Sequence, residues 1–183
     1  DTGTLDIVEG ETAASVLLRF LQEYGYDPDY QGTATMNFYL RRINRGDIAY
    51  RANVPEHLWE LILRDGITTN DNYDRDSIGE FDYTQGSGWM YSINGTLYEG
   101  TGMSGYKVRN GITIYVRFTL SYGKDIGGYD STGGGYGSLS SYCGLWINGG
   151  YQALGHDFVE TDRLEPTETE DGYIHYRCSK CHE

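Results

Sequence analysis

The chain of 183 residues has little basic charge and no long apolar run. It carries 27 acidic residues and 14 basic ones, and only three of the basic residues are lysines. Its formal net charge is -13. A surface of this sign repels phosphate backbones and anionic membranes. No stretch approaches the roughly 20 apolar residues that a membrane span requires. Nucleic acid and membrane insertion are therefore excluded from the expected partners.

Cysteine and catalytic motifs are also scarce. The three cysteines, an odd number, all lie in the last quarter of the chain, at Cys143, Cys178 and Cys181. His57 and His175 have no nearby serine or cysteine with a third orienting group, as a hydrolase triad requires. No paired acid and base and no cofactor loop can be recognised. The sequence therefore predicts a protein that is not an enzyme and has no catalytic residues.

Tyrosine and glycine are abundant instead. Eighteen tyrosines and 26 glycines describe a β-rich protein with aromatic hydroxyls on its surface. This style is common in secreted proteins that bind carbohydrates or other polar ligands. Tyrosine is also simply a good strand former. The composition leaves both interpretations open.

Two helices are predicted by apolar spacing. Thr12 is a fitting N-cap for a helix that ends at Gly25, with apolar residues on one face. Pro55 suits the first turn of a second, shorter helix that Gly66 closes. Short strands are expected at residues 4–10 and on both sides of a turn at residues 44–47, within the segment 35–50.

Asparagine-glycine pairs predict hairpins in the second half of the chain. In residues 86–95, GSGWMYSING, the strand WMYSI is expected to pair with TLY (residues 96–98) across Asn94-Gly95. Asn110-Gly111 repeats this turn before a strand that alternates from Ile112 to Leu120, with one face in the core.

The composition changes after Leu120. A glycine- and serine-rich stretch resembles a linker. It separates three predicted units: a main domain at residues 1–125, a linker with a LWINGGY hairpin at 126–150, and a small tail at 151–183. In the tail, Asp171-Gly172 is expected to turn one short strand onto another.

The order of helix, GSGWMYSING, Tyr106, Asn110-Gly111 and a last strand ending in YVRFTL resembles a family. It is similar to the transcobalamin-like domain of unknown function in secreted and surface proteins of Gram-positive bacteria, over about residues 4–128. Ile112 stands where that family has an aspartate. The resemblance implies an α+β fold related to the β-grasp, with helices packed on antiparallel strands. In animal transcobalamins the related domain covers one face of cobalamin, and a large helical domain that this sequence lacks covers the other.

The tail is similar to cysteine-histidine repeats of bacterial surface proteins. Gly155-His156, Phe158, residues 169–172 and the Cys178-x-x-Cys181 pair match that pattern, but Glu168 replaces its central cysteine. Two thiolates on one tight turn suit tetrahedral zinc. His156, Cys178 and Cys181 are therefore candidate metal ligands, with His182 or Glu168 as a fourth. Because a third thiolate is missing, the expectation is weak metal binding or no cofactor. A disulfide, with or without Cys143, and free thiols stay open as alternatives.

Two further groups are candidate sites. Five carboxylates lie close together, enough for Ca²⁺ but without EF-hand spacing, and a solvated acidic loop is the alternative; they are Asp71, Asp74, Asp76, Glu80 and Asp82. Aromatic side chains are candidates for stacking on a sugar or another flat ligand; they are Trp89, Tyr91, Tyr98, Tyr106, Tyr115 and Trp146. Trp89 shares a face with Ile93 and is expected to be largely buried, whereas Trp146 is expected to be the exposed tryptophan.

These observations favour a non-catalytic extracellular module of a bacterial surface or secreted protein. Its expected role is binding or adhesion to a glycan or a cell-surface protein. Corrinoid binding and a purely structural spacer are the alternatives.

Overall fold

The computed structural model describes residues 1–46, 48, 54–72, 74–95, 102–127, 141–147 and 150–181. Within them the chain has an α+β fold with antiparallel sheets and two α-helices. The helices are α1 (Ala13–Glu23) and α2 (Glu56–Arg64), and the strands are β1 (Asp27–Thr33), β2 (Met36–Asn44), β3 (Ser77–Gly79), β4 (Gly88–Ile93), β5 (Ile114–Thr119), β6 (Gly144–Ile147), β7 (Gly150–Ala153), β8 (Phe158–Leu164) and β9 (Tyr173–Cys178). Among these elements, no helix has the length and apolar character needed to cross a bilayer.

Helix α1 begins where the sequence predicts. The Thr12 hydroxyl accepts a hydrogen bond from the Ser15 backbone N–H at 3.1 Å and donates one to the Ala34 carbonyl at 2.6 Å. Gly25, at φ +73°, follows the end of the helix. Thr12 thus caps α1 and also ties it to the turn between β1 and β2.

Replacing Thr12 with alanine is expected to lower the free energy of unfolding by about 1–2 kcal/mol. The change removes an N-cap and leaves the Ala34 carbonyl without this donor. Urea denaturation of the variant checks this. Thr12→Ser keeps the hydroxyl and is expected to recover most of the loss. A Thr12→Ala protein as stable as the parent would contradict the capping role.

The first core lies between α1 and strand β2. Leu17 and Leu21 of α1 pack with Phe38, Leu40 and Ile43. The spacing from Leu40 to Ile43 breaks strand alternation, because β1 pairs Tyr30 with Leu40 and Asp29 with Arg42, leaving one extra residue in β2. Such a bulge returns the next side chain to the core face.

The sheet of β1, β2 and β3 shows what the sequence pattern missed. Strand β1 contains two aspartates, a proline and a glycine, and its residues are almost all exposed. It forms as an edge strand, where neither proline nor polar side chains are excluded. The predicted strand at residues 4–10 is not formed. The predicted strand after the turn at 44–47 falls mostly outside the described residues.

The hairpin of β4 and β5 closes the other side of this core. Trp89 lies opposite Phe118 and Tyr91 opposite Val116. Asn94 and Gly95, both at positive φ, follow β4 as a turn. The strand WMYSI therefore pairs with the last strand of the main domain. The segment 96–98, expected as its partner, lies outside the described residues.

Helix α2 organises a second core. Leu58 and Ile62 are fully buried and pack with Leu120 and with Tyr142. Trp146 and Tyr151, from the predicted hairpin β6–β7, are partly buried against the same cluster. The segment that follows the glycine-rich stretch thus contributes side chains to the core built on α2.

The last pair of strands forms a separate two-stranded sheet, the C-terminal ribbon (β8 and β9). It pairs Phe158 with Cys178 at one end and Leu164 with Tyr173 at the other. This confirms the predicted pairing of two short strands in the tail. The connection spans residues 165–172, and Gly172 lies so close to the Leu164 carbonyl that no Cβ would fit there.

Candidate metal centre

Four soft ligand groups converge at the base of the C-terminal ribbon. Cys143, His156, Cys178 and Cys181 each place one ligand atom within 4.8 Å of all the others. The Sγ atoms of Cys143 and Cys178 are 3.5 Å apart, and His156 Nδ1 lies 3.2 Å from Cys181 Sγ. The three cysteines are buried and are not joined by a disulfide, whereas His156 is exposed. These four residues could hold a metal ion such as zinc.

The backbone builds the site from three separate segments. Residues 178–181 form a tight turn, the knuckle, in which the Lys180 N–H donates to Cys178 Sγ at 3.4 Å. The Ser179 N–H donates to the Asp157 carbonyl at 2.8 Å, which places His156 beside the knuckle. This hydrogen bond joins the segment that contains His156 to the knuckle. The third segment is the one that contains Cys143.

Cys143 reaches the knuckle through its own neighbours. The Ser141 N–H donates to the Lys180 carbonyl at 2.9 Å, and the Leu154 N–H donates to the Cys143 carbonyl at 2.7 Å. Cys143 has φ +50°, a left-handed conformation that is uncommon outside glycine. The segment therefore bends at the cysteine that joins the cluster.

The pKa values of the Cys143 and Cys178 thiols are shifted in opposite directions. Burial raises the pKa of the Cys143 thiol to about 12, and the adjacent Cys178 sulfur adds to this rise. Burial also disfavours the Cys178 thiolate, but backbone N–H groups of the knuckle outweigh it and lower the pKa of Cys178 to about 5. A bound cation would favour the thiolate form at each sulfur.

The observed spacing fits a tetrahedral metal. Zinc bonds thiolate at about 2.3 Å, so two sulfurs on one zinc are about 3.8 Å apart. The 3.5 Å separation of Cys143 and Cys178 is near this value and far from the disulfide bond length of about 2.05 Å. Three thiols and one imidazole form a ligand set common in structural zinc sites.

One sequence-based expectation about this site is wrong. The third thiolate is not missing, because Cys143 supplies it from 35 residues before Cys178. Glu168 lies exposed in the connection between β8 and β9 and is not part of the cluster. His182 lies outside the described residues. His156, Cys178 and Cys181 do converge as the sequence indicated.

The residues beside Cys143 are anchored in the main body. The Tyr142 hydroxyl lies 2.7 Å from Ser121 Oγ and donates to Asp65 Oδ2 at 3.0 Å. Lys124 Nζ contacts the same Asp65 carboxylate at 2.6 Å. The Trp146 indole N–H donates to the buried Asp125 carboxylate at 3.0 Å. The candidate metal centre is therefore joined to the core of α2 through Tyr142 and Trp146.

The candidate aromatic ligand residues do not form one surface. Trp89, Tyr91 and Tyr106 are partly buried against the first core. Tyr115 pairs with Ser92, so it points away from Tyr91 on the opposite face of the hairpin. Trp146 is partly buried and hydrogen-bonded to Asp125. Tyr98 lies outside the described residues.

The acidic segment is held by protein contacts. Asp82 is buried, and its two carboxylate oxygens accept hydrogen bonds from the two terminal guanidinium nitrogens of Arg42, each at 2.7 Å. Asp74 accepts hydrogen bonds from the Asp76 N–H and Ser77, and these donors lower its pKa. Glu80 accepts one from the Tyr39 hydroxyl at 2.7 Å. Among the described residues these carboxylates form no converging group that could hold a cation.

No family model matches the sequence, and no curated protein or solved structure is significantly similar to it. The transcobalamin-like relation over residues 4–128 therefore stays a prediction drawn from its motifs.

Proposed function

We propose that this chain is a non-catalytic binding or adhesion module of an extracellular bacterial protein. We also propose that a structural zinc ion stabilises its C-terminal part. The observation that carries the zinc proposal is the convergence of Cys143, His156, Cys178 and Cys181 from three segments of the chain. Zinc would hold the C-terminal ribbon on the body of the protein, and it would stabilise a segment that buries little apolar surface.

The ligand set favours a structural role over a catalytic one. Catalytic zinc keeps one coordination position open for water or substrate, whereas structural zinc is enclosed by four protein ligands. Here three thiols and His156 supply all four. Three thiolates also reduce the ability of zinc to act as a Lewis acid, because they neutralise its charge.

The binding role is supported by the distribution of exposed apolar side chains. The proposed aromatic rim is divided between the core and two faces of a hairpin, which weakens the case for a glycan platform there. The C-terminal ribbon instead exposes aromatic and aliphatic side chains on its two strands. A protein partner at a cell surface is therefore favoured over a sugar or a corrinoid.

Metal analysis tests the zinc proposal directly. Protein purified without chelator is expected to contain about one zinc per chain, as a closed four-ligand site requires. Intact mass under denaturing conditions is expected to show three reduced cysteines. A protein with no zinc and a mass lower by two hydrogens would carry a disulfide instead and would contradict the proposal.

The binding role is tested by screening the zinc-loaded protein against glycan arrays, corrinoids and immobilised surface proteins. Saturable binding to a protein supports the proposal. Saturable corrinoid binding would favour the transcobalamin-like alternative, and turnover of any compound would contradict the non-catalytic assignment.

A further inference from the structure

The C-terminal ribbon exposes large apolar side chains to solvent. Every residue from 152 to 177 is exposed, and none of them belongs to the core on α1 or to the core on α2. Large apolar side chains nevertheless make up much of its two strands; they are Phe158, Val159, Leu164, Tyr173, Ile174 and Tyr176, each between 40% and 58% exposed. Concentrated apolar exposure of this kind marks an interaction surface.

The strand pairing sorts these side chains into two faces. Tyr176 lies opposite Glu160 and Ile174 opposite Arg163, on the face that Phe158 shares. Glu160 and Arg163 form an ion pair at 2.8 Å between these apolar groups. Leu164 and Tyr173 share the opposite face with Asp162, which accepts a hydrogen bond from the Tyr173 hydroxyl at 3.0 Å. Each face thus combines apolar anchors with charged groups, as interfaces between proteins do.

The ribbon is held in place at one end and unpaired along its sides. A two-stranded hairpin alone is marginally stable in water. Here its base is tied by the Ser179 to Asp157 hydrogen bond and by three of the four metal-site residues. The sheet has two strands only, so among the described residues each strand has one edge with no partner strand. Such an edge is ready to accept a further strand.

The charge of the ribbon indicates which strand it would accept. Residues 157–181 contain seven carboxylates and three basic side chains. A second copy of this chain would bring the same excess of negative charge to the contact and is disfavoured. A partner with basic side chains is attracted instead.

We propose that the C-terminal ribbon is a docking surface for an extended, basic segment of another protein, in which apolar residues alternate with lysine or arginine. This segment would add as a strand to an open edge, with its apolar residues against Tyr176 and Ile174 and its cationic residues toward the acidic connection at 165–172. The inference rests on the binding role proposed above and names its partner class. It also explains why the apolar side chains of a solvated ribbon are tolerated.

Selection from a displayed library of random twelve-residue peptides tests the proposal. The immobilised bait is the full chain, loaded with zinc. Enriched peptides are expected to carry net positive charge and alternating apolar residues, and to bind more weakly as salt is added. Ile174→Ser with Tyr176→Ser is expected to weaken the best peptide by at least about tenfold, since central apolar anchors dominate such contacts. Met36→Ser, which removes an apolar side chain of β2 that is more exposed than either Ile174 or Tyr176, is the control and is expected to change nothing.

A second variant tests the electrostatic contribution to peptide binding. Glu168→Gln with Glu170→Gln leaves the apolar anchors in place and is expected to reduce the salt dependence of peptide binding. Enrichment of neutral or acidic peptides, no enrichment, or equal binding by the Ile174 and Tyr176 variant would overturn the proposal. Self-association that these same substitutions abolish would overturn it too, because the occupant would be a second copy. Zinc content measured on each bait separates a failed docking surface from a failed metal site.

Discussion

Replacing Cys143 with serine is expected to reduce the zinc content from about one per chain to near zero at micromolar protein in the presence of a competing chelator. Serine removes one of three thiolates, and a hydroxyl is a poor ligand for zinc. Structural zinc contributes on the order of 10 kcal/mol to the folding of small domains. Weaker zinc binding is therefore expected to lower the stability of the ribbon by a large amount. Elemental analysis and a chelator competition assay measure the effect.

The consequences of Cys143→Ser should extend beyond the tail. Tyr142, beside Cys143, is part of the core that contains Leu58 and Ile62. Release of the metal is therefore expected to increase hydrogen exchange in α2 as well as in β8 and β9. Exchange in α1 is expected to stay unchanged, because the first core has no residue from the metal centre.

Glu168→Ala is the matched control for this prediction. Glu168 occupies the position where the resembling surface-protein repeats have a cysteine, but it lies away from the cluster. Its removal is expected to leave zinc content and exchange unaltered. If Glu168→Ala released zinc and Cys143→Ser did not, the ligand set given by the structure would be contradicted.

Part of this site could be predicted from sequence because its geometry is local. A Cys-x-x-Cys turn aims two sulfurs at one point whatever the surrounding fold, so the knuckle of Cys178 and Cys181 needed no tertiary information. His156 was indicated by the same repeat pattern. Cys143 could not be assigned in this way, because it lies 35 residues before Cys178 and reaches the knuckle through tertiary contacts such as the hydrogen bond from the Ser141 N–H to the Lys180 carbonyl. The one available signal was the odd cysteine itself.

The helices and strands also differ in whether the sequence alone predicts them. Helices α1 and α2 and the strand of β5 follow from apolar periodicity, which burial on one face imposes directly. Strand β1 has no such pattern because it lies at a sheet edge and buries almost nothing. The partner of β4 was also set by tertiary pairing, since the asparagine-glycine turn after it fixes only where β4 ends.

No sequence pattern indicates that Asp125 is buried or that its carboxylate is a hydrogen-bond acceptor. Asp125 is fully buried in a 3₁₀ turn, Lys124–Ile126. Its carboxylate accepts hydrogen bonds from the Thr119 hydroxyl, from the Leu120 N–H at 2.9 Å and from the Trp146 indole at 3.0 Å. It therefore links β5 to the hairpin that leads into the metal centre.

Asp125→Ala is expected to lower the free energy of unfolding by about 3 kcal/mol, because it leaves several buried donors without an acceptor. Urea denaturation of the zinc-loaded protein measures this loss. Asp125→Asn keeps an acceptor oxygen at the same volume and is expected to cost much less. Equal stability of the alanine variant and the parent would show that Asp125 does not connect the two parts of the chain.

The difference in stability between the Asp125→Asn variant and the parent is also expected to depend on pH. Burial raises the pKa of Asp125 above its ordinary value of 3.8, although its three donors partly oppose the shift. The native state therefore holds this proton more tightly than the unfolded state. The stability that Asp125 contributes is complete below about pH 3.8 and declines as the pH rises through the native pKa. The amide of the Asp125→Asn variant cannot ionise, so the stability of this variant relative to the parent is expected to improve with rising pH. The substitution leaves the candidate metal ligands unchanged, so the difference between the urea midpoints of the two proteins across this pH range reports on Asp125. A difference that stays constant with pH, or that changes in the opposite direction, would contradict this assignment.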